Sequence, residues 1–192
     1  MKMKKPDWRT WLRNKAECRK WYYYYRKNGM LKKTTFKPDN FMKKATHNMD
    51  FSNWVLEKHK DEIPAVFGSQ KFYDWVIVGY YYAVYHASLA LIASKRFESK
   101  SHFATLSAII LFFYHEKKIS KEDVETVAES IGTTITKDDI EIIIDSKSLR
   151  ERASYNVGYE FDEILVKRAQ GNAVSFMQKA RSVLDITSGA LN

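Results

Sequence analysis

Trp75-Val-Ile-Val-Gly-Tyr-Tyr-Tyr-Ala-Val-Tyr-His-Ala-Ser-Leu-Ala-Leu-Ile-Ala-Ser94 runs for twenty residues without Asp, Glu, Lys or Arg. That is roughly the length at which a helix crosses a bilayer. Its middle, however, holds Tyr80, Tyr81, Tyr82, Tyr85 and His86. Each of those polar groups would need a partner at bilayer depth, and tyrosines belong at the ends of a span rather than its centre. The stretch therefore reads as the central core helix of an all-α protein. It is expected to cover residues 70–95 with Ser69 as its N-cap. Ala83, Ala87, Ala90 and Ser94 recur at helical spacing, and small side chains let neighbouring helices approach closely.

Helical signals continue on both sides. Trp8, Trp11, Leu12, Lys15, Cys18 and Tyr22 predict one helix over residues 7–27, ended by Asn28-Gly29. Met30 to Lys37 reads as a basic connector, and Pro38 suits the first turn of a second helix. Phe41, Ala45, Asn48, Met49, Ser52 and Leu56 share one face of that helix, which is expected to end before Ile63-Pro64. Beyond the central helix, Ser99 or Ser101 can cap a helix over His102 to His115. Ser120-Lys-Glu-Asp123 fits the acidic first turn of another, ending near Gly132. Thr136-Lys-Asp-Asp139 opens a further helix with Ile140, Ile143, Ile144, Leu149 and Ala153 on its face. A last helix runs from about Phe161 to Leu184, with Phe161, Leu165, Ala169, Ala173, Phe176, Ala180 and Val183 as its stripe. The expected architecture is an antiparallel four- to five-helix bundle over residues 37–192. A basic aromatic N-terminal helix and connector precede it over residues 1–36.

The composition fits this reading. The 192 residues contain seven Gly and three Pro, too few turn-formers for many short strands. The single cysteine, Cys18, permits no disulfide framework, so the reducing cytoplasm is the expected compartment. The net charge of +9 is uneven. Residues 1–44 carry fifteen Lys and Arg against three acidic residues, and the remainder carries seventeen against twenty. A cationic N-terminal quarter points to a phosphate-rich or acidic partner, or to a solvated helix that aids solubility. Within it, Arg19-Lys-Trp-Tyr-Tyr-Tyr-Tyr-Arg-Lys27 interleaves cations with rings. Arg19, Lys20, Arg26 and Lys27 are candidate nucleic-acid contacts, since such surfaces bind single strands by phosphate contact and stacking.

Three segments in order carry a family resemblance. Phe72-Tyr-Asp-Trp-Val-Ile-Val-Gly-Tyr-Tyr-Tyr-Ala-Val-Tyr-His-Ala-Ser-Leu-Ala-Leu-Ile92 resembles the signature helix of prokaryotic HEPN-domain proteins. In particular it resembles the archaeal and bacterial branch formerly classed as an uncharacterised protein family. Ser99-Lys-Ser-His-Phe-Ala-Thr-Leu106 resembles the start of that family's next helix. Leu149-Arg-Glu-Arg-Ala-Ser-Tyr155 resembles the motif before its final helix. The resemblance covers about residues 38–185. It implies a helical bundle, a homodimer, and an RNA- or nucleotide-binding role in a toxin–antitoxin or defence-like module. A small nucleotidyltransferase is the implied protein partner.

Active members of the family resembled are metal-independent endoribonucleases that use Arg-x(4–6)-His. The RNA supplies its own 2′-hydroxyl nucleophile, the His moves protons near neutral pH, and the Arg holds the phosphate. Here the motif is not intact, because no His follows Arg150. Tyr155 stands where the earliest His would be, and Ser154 replaces the usual Asp. A phenol is a poor base at neutral pH, though it can donate a hydrogen bond or stack. The resemblance thus assigns a degenerate site to Arg150 and Tyr155, with Arg152 beside them. Arg96 and His102 also fit Arg-x5-His, but between two earlier helices, where Ser101 as a cap and His102 in the first turn explain the match without catalysis. His86 lies one turn beyond Tyr82. The pair reads either as part of a polar pocket with Arg150 or as a core histidine bonded to a tyrosine. No His-x3-His, Cys–His cluster or paired carboxylate occurs, so no metal and no cofactor are expected. The alternative reading is a non-enzymatic helical module that docks the nucleotidyltransferase. A structural dimer without a ligand is a third.

Overall fold

The computed structural model describes residues 6–130 and 162–189, and these are mostly helical. The expected helix over residues 136–156, with Arg150, Arg152 and Tyr155, lies outside the described residues.

The predicted first helix is two. Helix α1 is Trp8–Arg13 and α2 is Lys15–Lys27. Asn14 sits between them in extended backbone, and its side chain accepts from Glu17 N–H at 3.0 Å. An Asn side chain competes for backbone bonds in this way, so it restarts a helix while the apolar spacing runs on unbroken. Gly29 ends α2 with φ +68°, as Asn28-Gly29 predicts.

The basic connector contains a strand. β1, Leu31–Lys33, pairs antiparallel with β2, Phe97–Ser99, in the register Leu31↔Ser99, Lys32↔Glu98, Lys33↔Phe97. Helix α3, Pro38–Lys58, starts with Pro at its first position. It stops short of Ile63-Pro64, and a separate short helix α4, Glu62–Phe67, begins after Asp61. Pro64 is harmless there, because its missing N–H belongs to the unpaired first turn.

The charge-free stretch forms α5, Tyr73–Ser94. It is long and apolar enough to span a membrane by length and composition, yet 78% of its most apolar window is buried within the fold. Ser69 does not cap it. The residue at the cap is Phe72, whose N–H donates to His59 Nε2 at 2.9 Å, while His59 Nδ1–H donates to Val55 C=O at 2.8 Å. An imidazole just past the end of α3 thus satisfies a backbone group that the sequence assigns to a serine.

Helix α6, His102–Ile109, continues into a π-turn over Ile110–Tyr114. Helix α7, Lys121–Ser130, opens with a reciprocal cap. Asp123 N–H donates to Ser120 Oγ at 3.1 Å and Ser120 N–H to Asp123 Oδ2 at 2.8 Å. Helix α8 is Glu163–Gly189, and Ala173, Phe176, Ala180 and Val183 of its predicted stripe are buried.

Helix α5 packs most extensively against α3 and α8. At the α3 crossing Gly79 faces Ser52. A polar pin ties the three helices together. Tyr80 O–H donates to Asn53 Oδ1 at 2.7 Å, and Gln170 Nε2–H donates to the same oxygen at 2.8 Å. Burial pushes the Tyr80 phenol up to about 12, so it remains a donor across the neutral range. Helices α1 and α2 join the same core through Trp8, Trp11, Cys18, Trp21, Tyr22 and Tyr25. His115 Nε2–H donates to Trp11 C=O at 2.9 Å, and Cys18 Sγ–H to Ser107 C=O at 3.4 Å. The Cys18 thiol is pushed up to about 12 by burial, so it is a packing group rather than a nucleophile.

Candidate nucleic-acid interface

Helix α2 divides its aromatic run by helical geometry. Trp21, Tyr22 and Tyr25 are buried, while Tyr23 is 56% exposed. Arg19, Tyr23 and Lys27 are spaced four apart and share the outer face, with Lys20 beside them, and all three cations are exposed. Lys20 has a loose ion pair with Glu17 at 3.7 Å, which screening makes weak.

Arg26 links this helix to the ribbon. Its guanidinium lies 5.2 Å from the Phe97 ring centroid and 5.8 Å from that of Tyr22. Cation–π contact of this kind holds a cation at the surface without neutralising it. The β1–β2 pairing then brings Lys32 and Lys33 beside residues 95–100, with Thr34 N–H donating to Arg96 C=O and Lys100 N–H to Met30 C=O, both at 3.0 Å. The sequence separates these two basic segments by more than sixty residues, and the ribbon joins their backbones, with Lys32 opposite Glu98 and Lys33 opposite Phe97.

Beyond the ribbon, Lys33, Phe36, Lys37, Asp39, Arg96 and Asp185 line a groove of about 780 Å³. Arg96 holds a left-handed backbone at φ +61°. That conformation costs a non-glycine residue roughly 1–2 kcal/mol. Of these residues, the sequence singles out only Arg96. The one signal for Lys33 and Lys37 is the basic character of the connector.

The other candidates lie along α5. Tyr82 and His86 are near-parallel at 6.2 Å between ring centroids, as their one-turn spacing predicts. Tyr85 packs against His86 at 5.8 Å and edge-on to His102 at 5.1 Å. Tyr82, His86 and His102 therefore share one ring cluster, joined by a tyrosine that the sequence reading does not select. Arg96 is drawn elsewhere, into the groove. Burial pushes the Tyr85 phenol up, with a side-chain hydrogen bond shared with Thr105 opposing it.

Burial, with the nearby Lys44 ammonium second, holds the His86 imidazole below its usual value. Its Nδ1 is buried without a hydrogen-bond partner among the described residues. Because the folded value is lowered, the unfolded chain takes up this proton first as pH falls. The stability owed to neutral His86 is full above its unfolded value of about 6.5 and is lost as pH drops through the folded value. Thermal midpoints measured from roughly pH 7 to pH 5 should fall more steeply for the native chain than for His86→Gln. Parallel curves would remove His86 as a source of the acid sensitivity.

The chain matches no protein-family model, and no curated protein is significantly similar to it.

Proposed function

We propose that this chain is a HEPN-like antiparallel bundle that binds RNA or a nucleotide, works as a homodimer in a toxin–antitoxin or defence-like module, and is a degenerate member of a ribonuclease class. The observation that carries the reading is the convergence at the ribbon. The last turn of α2 is tied to the ribbon there by Arg26 over Phe97, and the β1–β2 pairing lays Lys32 and Lys33 along the strand that follows Arg96. Phosphate contacts from such a face supply affinity without sequence preference, and exposed rings such as Tyr23 add stacking. In this proposal Arg150 contacts phosphate and Tyr155 donates or stacks, as their motif positions suggest.

Fluorescence anisotropy with a labelled single-stranded RNA tests the binding. Affinity should fall with salt, and Arg19→Glu with Lys27→Glu should weaken it at least tenfold. Losing those two phosphate contacts should shallow the salt slope by about 1.4 on a log–log plot. RNA affinity that ignores both salt and these substitutions would sink the reading. Any cleavage seen in the same samples should vanish in Arg150→Ala, and cleavage that survives takes Arg150 out of the mechanism.

One observation favours the second reading, a non-enzymatic module that docks a minimal nucleotidyltransferase. Phe51, Trp54, Phe67 and Trp75 are all exposed around an apolar groove of about 310 Å³. Exposed apolar patches mark protein interaction sites, and Trp is enriched among the residues that carry their binding energy. A chain that binds no RNA but forms a complex with a co-expressed nucleotidyltransferase, lost in Trp54→Ala with Trp75→Ala, would support it.

A further inference from the structure

The geometry points to the groove between β1, the first turn of α3 and the ends of α5 and α8 as a seat for one nucleotide unit. Its phosphate would lie on Lys33, Lys37 and Arg96, and its base on Phe36. This rests on the nucleic-acid reading above and names where a single unit is gripped.

Four observations carry it. The three cations come from two distant places in the chain, the connector around residues 33–37 and residue 96, and line one groove. They form no ion pair among the described residues, although Asp39 and Asp185 line the same walls. The cations therefore remain available to an incoming anion. The groove volume of about 780 Å³ falls within the roughly 300–1,000 Å³ of small-molecule sites. Phe36 is 57% exposed, and its ring is braced edge-on by Phe41 at 6.2 Å. A braced, open ring is a stacking platform for a base. The mixture also discriminates among anions. A carboxylate or inorganic phosphate would use the cations alone, whereas a nucleotide offers hydroxyls and amines to the two carboxylates and a flat face to Phe36.

The same chemistry reaches the groove either as a free nucleotide or as one unit of a strand. Full-length protein should therefore be titrated with AMP and, separately, with a 3′-fluorescein hexaribonucleotide bearing a 5′-phosphate. Lys33→Gln with Arg96→Gln should weaken whichever probe binds at least tenfold. For the hexamer the salt slope should fall by about 1.4, because two phosphate contacts are lost. Phe36→Ala should weaken binding severalfold with the slope unchanged, since it removes stacking and no charge. AMP binding lost in the double variant identifies a free nucleotide as sufficient. Hexamer binding lost in the double variant, with no AMP binding, identifies the strand. Hexamer binding that is unaffected by all three groove substitutions but lost in Arg19→Glu with Lys27→Glu overturns the groove and leaves the broader reading standing. No binding of either probe by the native chain overturns both. Circular dichroism of each variant should match the native chain, because the substituted side chains are exposed. If the double variant is unfolded, Lys37→Gln alone carries the test.

Discussion

Trp11→Ala should lower the thermal midpoint by about 6–20 °C, the equivalent of about 3–5 kcal/mol for a chain of this size. Trp11 is fully buried, and its ring packs against Trp21 at 5.9 Å, Phe103 at 6.4 Å and Tyr25 at 6.5 Å. Removing the indole leaves a cavity walled by two helices from the N-terminal region and one from the middle of the chain. Those walls are held by His115 on the Trp11 carbonyl and Cys18 on the Ser107 carbonyl, so they close over the gap only in part. The measurement also bears on organisation. If α1 and α2 share one cooperative core with α5 and α6, near-ultraviolet and far-ultraviolet circular dichroism should melt together and shift together. A midpoint change below about 1 kcal/mol, or an early transition confined to the aromatic signal, would show that the N-terminal helices are an independent appendage.

Gly79→Ala is the second large effect, expected at about 1–3 kcal/mol despite adding only a methyl group to a helix interior. In an open helix that change is favourable, because alanine is the better helix former. Here the added Cβ would stand 1.9 Å from Ser52 Oγ, 3.3 Å from Ser52 Cβ and 3.4 Å from the Asn48 carbonyl oxygen. The first distance is impossible without movement, so the Ser52 hydroxyl must turn away within the tight crossing or α3 and α5 must separate, straining the Tyr80–Asn53–Gln170 pin. Ser52 supplies the control. Its Oγ is buried without a hydrogen-bond partner among the described residues, so Ser52→Ala should cost nothing measurable or stabilise slightly. In the Ser52→Ala background the worst clash is gone, and Gly79→Ala should recover most of its loss. Equal losses in both backgrounds would mean that the helices do not meet at this pair.

Helical class was legible because apolar spacing is a local property. Ala173, Phe176, Ala180 and Val183 of α8 and Ala83, Ala87 and Ala90 of α5 are buried where their periodicity puts them, and Ser120 and Asp123 cap α7 from side chains three residues apart. Errors fall where a distant group intervenes. Asn14 breaks a run whose apolar rhythm never falters, and His59 takes over the cap that Ser69 was expected to supply. The β1–β2 pair escapes notice because three-residue strands carry no period, and their partners are distant in sequence. Among the candidate site residues, Tyr82 with His86 and the outer cations of α2 are set by one-turn spacing within single helices. Tyr85 and the groove around Arg96 are not, since no spacing rule relates Lys33 to Arg96 or Asp185.

What the sequence determined by itself is the helical character, the identity of the buried stripes and the cationic bias of the first quarter. Each depends on neighbours within a turn or two. Tertiary structure decided which cations stand together and which rings stay open. Those outcomes depend on how α3 crosses α5 at a glycine and on how a short ribbon ties residue 31 to residue 99. Such contacts are selected by shape and burial over the whole chain, and no local pattern encodes them.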